Sequence, residues 1–227
     1  MKFDLHTHHD RCGHAADSIR DYIEAAIGAG LQVIGISDHS PYFAHEQDHP
    51  QPGIAMARSD FPNYVAEVLR LKEEYKDRIE VLLGVESDFY IDQLELYRAA
   101  YAPYPFDYII GSVHQTRGVS IFNRNRWKGK DEAQQLDEKK HYYELIRRSA
   151  ESGLFQVLGH IDAMKGYYPG FADISGAEAD IDEALKAVAA NDLSIEINTS
   201  GKTKDCGGWY PSDAILERAL HFGADVT

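Results

Sequence analysis

The chain has 227 residues, 44% hydrophobic and 26% charged, a globular composition long enough for one substantial core, which excludes disordered and fibrous classes. With 37 Asp and Glu against 23 Lys and Arg, the formal charge of -14 repels polyanions and argues against long nucleic acids or an anionic membrane as partners. Two cysteines, Cys12 and Cys206, cannot form a framework of bridges, and no apolar run approaches the roughly 18 residues of a membrane span. The sequence enters a structured pattern at Phe3 without a signal-peptide core, so a reducing, cytoplasmic setting is expected.

In chain order, the periodicity alternates short Val- and Ile-rich strands with longer helical patterns, and no linker interrupts residues 1 to 227, which predicts a single domain. Strands are expected at Phe3 to His8, Gln32 to His39, Ile79 to Asp88, Asp107 to His114, Phe155 to Asp162 and Leu193 to Ser200, with another starting at Ala224. In the first helix Ile19, Tyr22, Ile23, Ala26 and Ile27 make one apolar stripe, stopped by Gly28 and Gly30. Ser59 is the expected N-cap of a second helix carrying Val65, Val68 and Leu69. Further helical patterns cover residues 131 to 152, 177 to 191 and 212 to 222, the last closing at Gly223. Strand-helix alternation of this kind predicts an α/β fold with a parallel sheet, and about six or seven repeats suggest a barrel. A closed eight-fold barrel takes about 250 residues, more than are present.

Functional groups in such folds gather at the carboxyl ends of the strands. Of the chain's eleven histidines, five stand where successive strands stop: His6 and His8, His39, His114, and His160, with Glu86 and Asp162 at strand ends beside them. Residues two apart on a strand project to one side, so Asp4, His6 and His8 are expected to face inward together. A lone His-x-His is equally well explained by hydrogen-bonded core histidines. Ligand-type residues at the ends of several different strands are not, because unpaired imidazoles and carboxylates in a dry core cost on the order of several kcal/mol. Imidazole with carboxylate suits zinc, iron or manganese. More than four such ligands exceed one tetrahedral site, and neighbouring cations with Glu86 as a candidate bridge favour hydrolysis of a phosphate ester.

The strings DLHTHH with CGHA, then SDHSP, GVESD, YPFDYIIGSVH, LGHID and INTSG, in this order, resemble the PHP (polymerase and histidinol phosphatase) family, most closely its stand-alone histidinol-phosphate phosphatases. The resemblance runs over essentially the whole chain. It implies a distorted (β/α)7 barrel, a trinuclear centre of zinc, manganese or iron, and hydrolysis of L-histidinol phosphate to L-histidinol and phosphate in histidine biosynthesis. By position it implies that His6 and His8 hold one metal with Glu86, which bridges to a second metal held by His114 and His160, while His14 and His39 belong to a third. Glu86, His160 and Asp162 are the catalytic candidates. The family's Gly-Ser-Asp-x-His motif, which supplies a last Asp and His, is absent, so the last strand motif and closing helix are expected to be missing at the carboxyl end.

Arg117 and Lys165, on expected loops at the active end, are the candidates to bind a phosphate ester; solvated surface charge explains them as readily. Asp38 beside His39 is a candidate to orient an imidazole, with a plain strand-end capping acid equally ordinary, and Cys12 is expected to be a buried structural thiol. His9, His45, His49, His141 and His221 lie off the motifs. Tyr167, Tyr168, Trp209 and Tyr210 are candidates to wall a small-molecule pocket or to pack on the rim. Competing functions are a phosphodiesterase or nucleotide-directed phosphoesterase, a non-catalytic metal-binding module, and an amidohydrolase, which would want a lysine where Glu86 stands.

Overall fold

Short parallel strands joined by amphipathic helices build the structure, a computed structural model that describes residues 1–48 and 54–227; His49 lies outside the described residues. Two compact units follow each other along the chain, Met1–Ile110 and Gly111–Thr227.

In the first unit, β1 (Phe3–Asp4), β2 (Val33–Ile36) and β3 (Glu80–Leu83) form a parallel sheet, with Phe3 opposite Val33 and Val33 opposite Glu80. Between them α1 (Ile19–Gly28) starts at Ser18, whose side chain accepts from the Asp21 backbone while the Asp21 carboxylate accepts from the Ser18 N–H. That reciprocal capping fixes the start of the helix, and of the expected stripe Ile19, Ile23 and Ala26 are buried while Tyr22 and Ile27 are half-buried at its edges. The second helix, α2 (Phe61–Tyr75), begins later than its expected cap. Ser59 sits instead in a 3-10 turn, its backbone N–H directed at the Asp48 carboxylate, and Pro62 occupies the first helical turn, where its missing N–H costs nothing. Val65 and Val68 are buried as expected, whereas Leu69 is 37% exposed.

The run expected as one strand from Ile79 to Asp88 divides into β3 and β4 (Glu86–Asp88) at Gly84. The Tyr108 ring packs against the break and leaves room only for glycine. Its hydroxyl donates to the Leu5 carbonyl at 2.5 Å, and a Cβ at Gly84 would lie 2.3 Å from Tyr108 Cζ. Gly84→Ala is therefore expected to cost about 1–3 kcal/mol through forced displacement of the ring; an unchanged urea midpoint would contradict this packing. A further helix, α3 (Leu94–Tyr101), escaped the periodicity because it spans only two turns and buries only Tyr97 and Tyr101. Those rings join Phe43, Phe61 and Phe106 in an aromatic cluster.

In the second unit β5 (Ile110–Ser112) is followed by a hairpin, β6 (Gln115–Thr116) and β7 (Val119–Ser120), turned on Arg117 and Gly118. Their φ values of 51° and 73° are the left-handed pair that a two-residue hairpin turn demands. Then come α4 (Glu132–Glu151), capped by Asp131 and Gln134, β8 (Val157–Leu158), α5 (Glu178–Ala190), β9 (Ser194–Ile195), α6 (Asp213–Phe222) and β10 (Asp225–Val226). Strands β8, β9 and β10 pair in parallel, and the Gly159 N–H reaches the Gly111 carbonyl at 2.9 Å. Tyr142, Tyr143 and Ile146 of α4 and Ile181, Leu185 and Val188 of α5 are buried between the helices and strands. The α/β architecture with parallel sheets is as expected. Among the described residues no helix is long and apolar enough to cross a membrane.

Candidate metal centre

In the first unit the ladder ends at Asp4, so the residues after it leave the sheet while keeping its alternation. Thr7 and His9 turn inward and are buried; His6 and His8 project together on the other side. His6 Nε2 and His8 Nε2 are 3.2 Å apart, and each approaches one oxygen of the Glu86 carboxylate, at 3.4 and 3.3 Å respectively. Glu86 is 2% exposed and is positioned by the parallel bridge between His39 and the start of β4. Two residues on, Asp88 projects from the same side of β4 and places Oδ2 3.2 Å from His39 Nε2. The His39 Nδ1 is 2.9 Å from the Ser40 carbonyl, which holds the ring with Nε2 toward the acid.

These groups fit a divalent cation on their own geometry. Spacings of 3.2–3.4 Å match the roughly 3.3 Å edge of a tetrahedron built on metal–nitrogen bonds of about 2.0–2.1 Å. Burial lowers the His8 pKa, with Glu86 opposing, so the imidazole is held toward the neutral form that ligates. His14 packs its ring 4.6 Å from that of His8 and 6.1 Å from that of His39.

A buried hydrogen-bonded layer underlies them. The Asp38 carboxylate accepts the His9 backbone N–H at 2.6 Å and lies 3.2 Å from both His9 Nδ1 and the Cys12 sulfur. Burial works against its charge, yet the His9 contacts and the thiol hold the Asp38 pKa below the ordinary value. Burial and the Asp38 charge push the Cys12 thiol up to about 12. The Cys12 sulfur lies within 3.5 Å of His8 Nδ1 and 3.2 Å of His14 Nδ1.

In the second unit His114 and His160 follow β5 and β8, and their Nε2 atoms are 3.3 Å apart. His160 has φ 28°, a left-handed conformation that costs a non-glycine residue free energy. Glu196, at the end of β9, holds it there by accepting the His160 N–H at 2.9 Å, and Asn198 donates to the same oxygen at 2.9 Å. Half-exposed Phe122 lies over this pair, with ring centroids 5.8 Å from His114 and 6.5 Å from His160, and edge-on to Tyr167. Arg124 stacks on Tyr167 at 4.2 Å.

The remaining sequence candidates have committed partners. Asp162 is fully buried, its Oδ2 2.8 Å from Lys165 Nζ and 2.8 Å from the Ser212 N–H. Burial raises the Asp162 pKa, and Lys165 opposes the shift. Lys165 is itself buried and lies 5.5 Å from the Tyr210 ring. Arg117 pairs with Asp137 at 2.7 Å and Glu138 at 3.1 Å. Trp209 is exposed and Trp127, not Tyr210, stacks on Tyr168, at 4.4 Å. His141 is half-buried on α4, His221 is exposed on α6 against Phe222, and His45 stacks on Tyr42. Cys206 is half-buried near the Gly201 carbonyl. Sequence reasoning missed Asp88, Glu196 and Phe122. The two-residue spacing from Glu86 carried the signal for Asp88; Glu196 stands at a strand end; nothing local marks Phe122.

An α/β fold with imidazole and carboxylate groups gathered at strand ends defines a class of metal-binding hydrolytic proteins. Within that class the chain belongs to the PHP domain family, whose model matches residues 4–200. It is 32% identical over 97% of its length, and 82% of the relative's, to a Deinococcus radiodurans protein named "Probable histidinol-phosphatase". It is 29% identical to the histidinol-phosphatase of Bacillus subtilis, over 100% of this chain and 93% of that one. Among solved structures, the histidinol phosphate phosphatase of Lactococcus lactis, crystallised with zinc, L-histidinol and phosphate, has the same fold with a TM-score of 0.80 at 21% identity, covering 99% of this chain and 84% of that one.

Proposed function

We propose that this chain is a metal-dependent phosphomonoesterase that hydrolyses L-histidinol phosphate to L-histidinol and phosphate, a reaction of histidine biosynthesis. The observation that carries the reading is the convergence of His6, His8 and buried Glu86 at spacings suited to a cation. The names of the Deinococcus and Bacillus relatives, and the ligands of the Lactococcus neighbour, support the substrate.

On this reading His6, His8 and Glu86 hold one divalent ion, His114 and His160 contribute to a second, and His14 and His39 to a third, with zinc, manganese or iron as the metal. Such ions, when bound, polarise phosphoryl oxygens and provide a nucleophile from water at neutral pH. The chain's own contribution is to aim these groups. Glu86 brings negative charge to two imidazoles at once; the Glu196 hydrogen bond keeps His160 in its strained conformation. Asp162 holds Lys165 in place, and a phosphate ester that recruited Lys165 or Arg117 would have to compete with the carboxylates already paired to them. Phe122 and Tyr167 offer flat apolar surface beside His160, suited to a planar imidazole.

Stripping metal with a chelator is expected to abolish phosphate release from L-histidinol phosphate, and added zinc or manganese to restore it. Undiminished turnover after stripping would overturn the reading. Phe122→Ala is expected to raise KM for L-histidinol phosphate by roughly 3–10-fold, consistent with the loss of about 0.5–1.5 kcal/mol of aromatic stacking, with less effect on a phosphomonoester lacking an aromatic group. Equal effects on both substrates would remove Phe122 from substrate recognition.

A further inference from the structure

We infer that Cys12 is a positioning residue whose thiol, anchored on Asp38, selects the tautomer of both His8 and His14. The inference rests on the reading of these two histidines as metal ligands. Cys12 is 1% exposed, and its sulfur lies 3.2 Å from Asp38 Oδ1, 3.2 Å from His14 Nδ1 and 3.5 Å from His8 Nδ1, with the His14 and His39 backbone N–H groups also directed at it. A carboxylate only accepts, so the single S–H is directed at Asp38; the His9 carbonyl, at 3.7 Å, is a poorer acceptor. The sulfur then turns its lone pairs toward the two ring nitrogens. Lone pairs cannot face one another, so Nδ1 of both rings carries the hydrogen, and a neutral imidazole protonated at Nδ1 offers its lone pair at Nε2. For His8 this is the nitrogen that lies 3.3 Å from Glu86 and 3.2 Å from His6 Nε2.

Asp38 can serve as the anchor because it is itself held. It accepts the His9 backbone N–H at 2.6 Å, and Oδ1 lies 3.2 Å from His9 Nδ1, so the carboxylate cannot swing away from the thiol without breaking the turn that carries both ligands. One thiol thus does for two histidines what carboxylates or backbone carbonyls commonly do for a ligating histidine singly. Ligation of a metal by the sulfur itself, with the two Nδ1 atoms, would use the opposite tautomers and is the competing arrangement of the same atoms.

The test uses the full-length chain before and after addition of zinc, with Cys12→Ser, which keeps a hydroxyl donor and acceptor, and Cys12→Ala, which keeps neither. Long-range proton–nitrogen NMR is expected to show His8 and His14 protonated at Nδ1 in the unsubstituted protein and in Cys12→Ser, and mixed tautomers in Cys12→Ala. Zinc affinity, read by competition with a chelating dye, is expected to fall about 10–100-fold in Cys12→Ala and to be largely restored in Cys12→Ser. Nε2-protonated rings in the unsubstituted protein would overturn the inference, as would a sulfur-to-metal charge-transfer band after cobalt loading. Because the tautomers are read without turnover, failure to hydrolyse L-histidinol phosphate would overturn the proposed function and leave the Cys12 result standing.

Discussion

Glu86→Gln is expected to eliminate hydrolysis while the fold is retained. The carboxylate is nearly inaccessible, accepts only, and meets His6 and His8 with separate oxygens, so an amide of the same shape removes the charge and presents an N–H to one imidazole. Groups that only orient a ligand cost about 10–100-fold when removed, so loss of a direct ligand should exceed about 100-fold in kcat/KM. Zinc content should fall in parallel with an unchanged circular dichroism spectrum; near-normal turnover with full zinc content would show that Glu86 is not a ligand.

Glu138→Ala is expected to give the largest loss of stability. The Glu138 carboxylate gathers Arg126 at 2.8 Å, Arg117 at 3.1 Å and Lys130 at 3.3 Å, and the Arg126 and Glu138 side chains are only 3% and 6% exposed. Removing the acid strands a buried guanidinium, which costs about 3–5 kcal/mol. For a chain of this size that lowers Tm by roughly 6–20 °C. Arg126 also donates to the Val119 and Ser120 carbonyls, so the hairpin and the Phe122 segment after it should loosen, and a Tm within experimental error of the parent would contradict the network. The pH dependence has a definite sign. Burial works against the Glu138 charge, but Arg126 and Lys130 hold its pKa below the ordinary value. Its stabilisation is thus present above the unfolded carboxylate pKa of about 4.3 and is lost as pH falls through the lower folded value.

Helices whose ends carry chemistry were legible in the sequence. The patterns expected at 131 to 152, 177 to 191 and 212 to 222 lie within a residue of α4, α5 and α6, and Gly223, at φ 75°, closes the last as expected. The α2 boundary was not, because Ser59 has the residue type of a cap but lies within a 3-10 turn, and the helix begins after Asp60 without a side-chain cap. Strands proved shorter than the apolar runs suggested. In Ser37-Asp38-His39 the backbone stops pairing regularly so that side chains can serve a site, which hydropathy cannot register. The histidine constellation and Glu86 were visible because period-two spacing and recurrence at strand ends are local signals. Asp88 carried the same signal and was passed over beside Glu86. The commitments of Arg117 to Asp137 and Glu138 and of Lys165 to Asp162 depend on how helices and loops pack, and no short-range pattern announces them.

The central claim is most directly tested by measuring kcat/KM for phosphate release from L-histidinol phosphate by the zinc- or manganese-loaded chain, beside p-nitrophenyl phosphate, a nucleoside monophosphate and a phosphodiester. A preference for L-histidinol phosphate of at least about 100-fold, equivalent to roughly 2.8 kcal/mol of transition-state discrimination, is the predicted result. Turnover of the nucleotide or the diester in preference to L-histidinol phosphate, or no turnover of any ester by folded, metal-loaded protein, would contradict it.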